Sequence, residues 1–169
     1  MLGNIIKSVT TASMALALIL PSLAIAQGTA ASSTPHVSDA GIVTVRSNYG
    51  MPETIARLKQ DIAGKGIKFF IEVDQSGLAA DAGIKIRPST LLIFGNPPLG
   101  TLFIAANPLA GLDWPVRVLV FENEKGEVWA AYTDFGYIAR RYHIEGMGSE
   151  PFQKASGVIA SITSSVRAE

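Results

Sequence analysis

The two candidates for a general acid or base in this sequence are His143 and Asp74. Histidine takes up and returns a proton near neutral pH more readily than any other side chain. The chain has one other histidine, His36, in a small polar stretch near the amino end. Grouped with Asp74, Arg87 and Tyr132, His143 would serve a small hydrolase or an isomerase-type enzyme. Each of the two also has a structural use. Arg140-Arg141-Tyr142-His143 reads as the solvated end of a short helix, where cations suit the negative end of the dipole. Asp74, ahead of Gln75-Ser76-Gly77, reads as a helix cap. There is no nucleophile elbow, no paired-carboxylate motif and no H-E-x-x-H.

A second set of polar residues suits binding rather than catalysis: Arg87, Asn96, Thr101, Arg117 and Tyr132. They stand in or beside short apolar runs, the usual make-up of a ligand pocket. Three of them belong to the stretch Arg87 to Thr101. Pro88 biases Arg87 towards an extended conformation. Thr90 to Phe94 is short, β-branched, aliphatic and aromatic, which predicts a strand covered on both faces. Gly95-Asn96-Pro97-Pro98 stops that strand in a turn, because the prolines have no N–H to give to a ladder. A glycine-rich bend after a strand can turn backbone N–H groups towards an anion. The sequence lacks both G-x-G-x-x-G and a P-loop lysine, so a nucleotide site has no support.

Metal and cofactor chemistry is poorly provided for. The chain has no cysteine, which excludes thiol catalysis, cysteine zinc sites and covalent c-type haem. Asp74 and Asp81 resemble a sparse calcium loop, but the ligand spacing of an EF-hand and its closing glutamate are missing. No metal and no cofactor is expected; haem held non-covalently by His143, Tyr132 or a methionine has no support.

The elements that must position these residues follow from periodicity. Ile42 to Ser47 alternates as a strand, with Val43, Val45 and Ser47 on one face. Pro52 and Glu53 open a helix on which Ile55, Leu58 and Ile62 recur at helical spacing, closed by Gly64 and Gly66. Ile67 to Val73 is a strand with Phe69, Ile71 and Val73 on one face, followed by a short helix through Leu78 to Ala82. Leu102 to Leu109 is apolar and broken by Asn107-Pro108: a short helix or an irregular segment lying on the sheet. Val116 to Phe121 and Val128 to Thr133 form a hairpin around a polar loop ending in Gly126-Glu127. Arg117, inside the first of these strands, must lie at an exposed edge or be paired with an acid. Asp134 caps a helix over Tyr137 to Tyr142. A last helix, 150–168, carries the stripe Phe152, Ala155, Val158, Ile159, Ile162 and Val166.

Residues 1–26 read as a secretory signal peptide, with Lys7 near the start, an apolar core from Met14 to Leu20 and small residues at Ala24 and Ala26. The expectation is an exported protein, periplasmic or secreted, with no stable membrane anchor after cleavage. Removing 1–26 takes away Lys7 and leaves thirteen Lys and Arg against fourteen acids, a net charge of −1. Such a balance gives no electrostatic case for nucleic acid. Residues 27–40 are small and polar and are expected to be a flexible tether. Residues 41–169 form one domain, long enough for a core of its own.

Several of the quoted segments occur together in a known family. Glu53-Thr54-Ile55-Ala56-Arg57-Leu58, Lys65-Gly66, Asp74, Ala82-Gly83, Arg87 to Pro97, Gly100-Thr101, Trp114-Pro115, Arg117 to Phe121 and Val128-Trp129 with Tyr132 resemble, in order, the domain of unknown function 302 (DUF302) family. The resemblance runs from residue 43 to about 144 and leaves out the signal segment and the last helix. It implies a compact α+β fold of two layers: a β-α-β-β-β-β-α unit, TBP-like or helix-grip-like, with a curved, mostly antiparallel sheet gripping a helix. It implies no activity. In one respect the chain departs from the family, which usually has histidine directly after the aspartate equivalent to Asp74. Here that position is Gln75, so any ligand or base supplied there is lost.

The reading that follows is a non-catalytic small-molecule or partner-binding accessory module. The alternatives are the His143 enzyme and a dimeric structural or assembly protein paired through the apolar face of the last helix.

Overall fold

The computed structural model describes residues 35–167. The expected signal segment and most of the expected tether lie outside them. Among the described residues no helix is long and apolar enough to cross a membrane.

Among the described residues, six strands form one antiparallel sheet in the order β1-β2-β6-β5-β4-β3, and five α-helices accompany it. The strands are β1 (His36–Val37), β2 (Ile42–Arg46), β3 (Lys68–Asp74), β4 (Ser89–Gly95), β5 (Val116–Glu122) and β6 (Val128–Thr133). The helices are α1 (Met51–Gly64), α2 (Gln75–Asp81), α3 (Pro97–Ala106), α4 (Phe135–Arg141) and α5 (Glu150–Ser164). A 3₁₀ turn, Pro108–Leu112, follows α3. The α+β architecture is the expected one. Its element order is fuller than the seven-element unit, because α2 and α3 interrupt the run of strands.

One face of the sheet makes the core. Val43 and Val45, Leu92 and Phe94, Val118 and Val120, and Ala130 and Tyr132 are buried against Leu58 and Ile62 of α1 and Phe152, Ile159 and Ile162 of α5. Phe103 of α3 stacks on Phe152 at 4.1 Å between centroids and leans on Phe135 at 5.7 Å. Thr54 is the buried polar residue of α1. Its Oγ1 donates to the carbonyl of Tyr49 and shares a 2.7 Å hydrogen bond with Ser47 Oγ.

Four expectations need correction. The tether does not run to residue 40: His36 and Val37 pair with Thr44 and Val43, and the chain turns back at Gly41, whose φ of 72° suits glycine. The polar residues 38–41 are a hairpin turn, not a linker. β4 is not covered on both faces. Thr90, Leu92 and Phe94 are buried while Leu91 and Ile93 are half-buried, an alternation hidden because both sets are apolar. Phe69, Ile71 and Val73 do not share a face, since the pairing of β3 with β4 shifts between Phe69 and Ile71 and leaves Ile71 52% exposed at the sheet edge. Finally, the apolar stripe of α5 is covered inside the chain, where Phe152, Ala155, Ile159 and Ile162 are buried in its own core, rather than left open as a face.

Candidate binding groove

The expected turn at Gly95-Asn96-Pro97-Pro98 is the start of α3. Asn96 is its N-cap, its side-chain oxygen accepting from Leu99 N at 3.4 Å, and the prolines occupy the first helical positions, where no N–H is needed. Gly95 and Gly100 lie against the indole of Trp114. A Cβ on Gly100 would overlap that ring, and one on Gly95 would come within 3.0 Å of Nε1. The glycines of this stretch therefore admit a tryptophan, not an anion.

Behind the indole is an apolar recess of about 30 Å³, walled by Phe94, Leu99, Phe103, Val116 and Ile159. It adjoins a groove of about 300 Å³ between the end of α1, the start of α3 and the outer side of α5. Ile67, Pro98, Leu99, Leu102 and Val158 line that groove; Asn96, Lys65 and Lys154 stand at its rim. Lys65 is paired with Asp61 at 3.1 Å, and Lys154 is exposed. Leu99, Leu102 and Lys154 also border a second depression of about 440 Å³ that continues towards Ala106, Met147 and Pro151.

The other expected site residues are dispersed. Arg87 is exposed in the extended run before β4. Thr101 turns its hydroxyl back onto the Pro97 carbonyl at 2.8 Å. Arg117 is paired with an acid, Asp113, at 3.2 Å. Tyr132 is buried on the core face of β6, and burial pushes its phenol up. His143 is exposed just beyond α4 with φ of 54°, in the left-handed conformation that ends a helix, and its N–H bonds the Arg140 carbonyl. Asp74 caps α2, accepting from Gly77 N at 2.9 Å and Ser76 Oγ at 2.7 Å. The Gly77 N–H, then the Ser76 hydroxyl, hold its carboxyl below the usual carboxylate range.

The expected catalytic set does not converge. In register Asp74 aligns with Thr90, Val120 and Ala130 across the sheet. Asp74 and the strand carrying Tyr132 are thus three strand spacings apart, roughly 14 Å. His143 lies beyond α4 on neither strand. Asp74 instead borders an open groove of about 620 Å³ with a mixed lining, Lys59, Glu72, Ser76 and Thr90 standing beside Met51, Pro52 and Ile55. Gln75, where the family usually has histidine, accepts from Ser89 Oγ at 2.7 Å and ties α2 to β4.

A cluster that the sequence did not disclose centres on Asp113. Its side chain is 8% exposed and receives Arg117, Arg141 at 3.3 Å and the Tyr142 hydroxyl at 2.6 Å. The bond to Asp113 pushes the Tyr142 phenol up. With Asn107 Nδ2 donating to the Tyr142 carbonyl at 3.1 Å, this cluster fastens the segment before β5 to the end of α4. The only sequence signal for it was an arginine inside a strand, four residues after an acid.

Comparison with known proteins supports the resemblance. The family model described as domain of unknown function DUF302 matches residues 43–162. The chain belongs to the DUF302 family. The match reaches into α5, beyond the expected end near 144, as befits a helix that supplies Phe152, Ile159 and Ile162 to the core. A crystal structure of an uncharacterized conserved DUF302 protein from Bacillus stearothermophilus superposes with a TM-score of 0.69 at 19% identity, covering 75% of this chain and 98% of that one. Among curated proteins, the fluoride-specific ion channels FluC 1 of Brucella suis and of Brucella abortus are each 36% identical over 119 residues. Those matches cover 70% of this chain and 46% and 44% of the relatives, so the chain spans less than half the length of the curated relatives it matches.

Proposed function

We propose that this DUF302 domain is a non-catalytic binding module that takes a small, largely apolar molecule into the groove between α3 and α5. The observation that carries this reading is the continuity of that groove with the recess behind Trp114. Its volume of about 300 Å³ is at the small end of ligand pockets. The amine of Lys154 at the rim, which makes no ion pair among the described residues, favours a ligand with an anionic end. Asp74 caps a helix, His143 ends one and Tyr132 is packed in the core, so the candidates for acid–base work are used structurally, which supports binding over catalysis. The Brucella relatives are called fluoride-specific ion channels, and the matching segment makes up less than half of them. That arrangement supports an accessory role beside a larger machine. The signal-like 1–26 supports a location outside the cytoplasm.

The test is to express the full precursor, purify the protein from the exported fraction and compare its mass under native and denaturing conditions. The expected result is a native excess that disappears in Leu102→Glu, a substitution at an exposed groove residue that leaves the core intact. Equal native and denatured masses for the wild type would contradict retention of a ligand.

A further inference from the structure

From Pro97 to Leu112 no residue carries a charge. The inward side of this segment is accounted for: Gly100, Phe103 and Ala110 are buried. The outward side is not. Leu109 is 62% exposed and Leu112 68% exposed. In a 3₁₀ turn, residues three apart lie on the same side, so these two leucines project together. They are also held firmly. The Asn107 side chain accepts from Leu109 N at 3.0 Å and donates to the Tyr142 carbonyl. At their base Arg117 Nη2 donates to the Leu112 carbonyl at 3.0 Å, and Arg117 and Arg141, each about half-exposed, share the single carboxylate of Asp113. Two guanidiniums against one carboxylate leave a positive charge beside the apolar tips.

We propose that the Leu109–Leu112 turn docks on an anionic lipid surface. Two rigid aliphatic tips over a cationic base match the boundary between acyl chains and negatively charged headgroups, where leucines enter the apolar layer and arginines stay at headgroup level. A polar solvated surface has no use for this pair, and the charge favours lipid over a neutral apolar partner. The inference stands whether or not the groove holds a ligand.

The test is flotation of the full chain with phosphatidylcholine vesicles, with and without phosphatidylglycerol. The wild type floats with the phosphatidylglycerol vesicles, less so as salt is raised. Leu109→Glu/Leu112→Glu floats at least about tenfold more weakly with an unchanged unfolding midpoint, since both side chains are exposed. Leu109→Ser/Leu112→Ser, which adds no charge, shows the same direction. A wild type that stays off both vesicle types would overturn the proposal. So would a double variant that floats as well as the wild type, which would place attachment elsewhere in the chain, or capture by a protein that persists in vesicle-free solution.

Discussion

The two ends of the sheet differ in what their residues are used for. At the α3 end, Gly95, Gly100, Trp114 and Phe103 pack tightly around an apolar recess, and the groove beside it is aliphatic with an amine at the rim. At the α1–β3 end, Lys59, Glu72, Asp74 and Ser76 share a wider, more polar opening with Met51, Pro52 and Ile55. The polar end holds more ionisable groups, yet they satisfy one another: Lys59 pairs with Glu72 at 2.9 Å, and Asp74 caps α2. The densest run of family residues, Arg87 to Pro97, starts at the α1–β3 opening, where Pro88 and Thr90 line it, and ends at the apolar one with Phe94, Gly95 and Asn96. Dense motifs here mark close packing around an indole, and the space left beside that packing is the proposed ligand site.

This contrast can be broken by mutation. The largest effect is expected from Phe103→Ala, which removes the ring stacked between Phe135 and Phe152; about 3–5 kcal/mol of stability should be lost, read from the denaturant midpoint. Gly100→Ala should cost about 1–3 kcal/mol, because a Cβ there overlaps the indole of Trp114. The same glycine-to-alanine change at Gly64, where a Cβ meets nothing, should have little effect in the same assay.

The smallest expected effects separate the two ends by pH. Tyr142 has its phenol pushed up in the folded state, so its contribution is fully present below the ordinary phenol value near 10 and is lost as pH rises through the folded value. Asp74 is held down, so its contribution is present above the ordinary carboxylate value and is lost as pH falls through the folded one. Unfolding midpoints should therefore show Tyr142→Phe flattening the alkaline limb and Asp74→Asn the acid limb. An exchange of the two signatures would contradict the assigned partners.

Much of the architecture was legible in the sequence because it rests on local rules. The stripes of α1 and α5 and the Asp134 cap follow from spacing and residue type, and the structure decides for an acid partner between the two uses left open for Arg117. What was illegible depends on distant contacts. The role of Gly100 requires Trp114, fourteen positions on, and the Asp113 cluster joins residues 28 and 29 positions apart. The shift in β3 is invisible because Phe69, Phe70 and Ile71 are all apolar, so alternation carries no signal there. The site residues chosen for their chemistry were mostly performing local backbone duties: Asn96, Asp74 and His143 begin or end helices.

The measurement that tests the account most directly is a fluorescence titration of the folded protein with 1-anilinonaphthalene-8-sulfonate, an apolar probe with an anionic end. The account predicts saturable binding of one probe per chain, lost in Leu102→Glu and weakened in Lys154→Glu, while Asp74→Asn and His143→Ala leave it unchanged. Binding that survives Leu102→Glu but fails in Asp74→Asn would move the site to the polar end of the sheet and contradict the central claim.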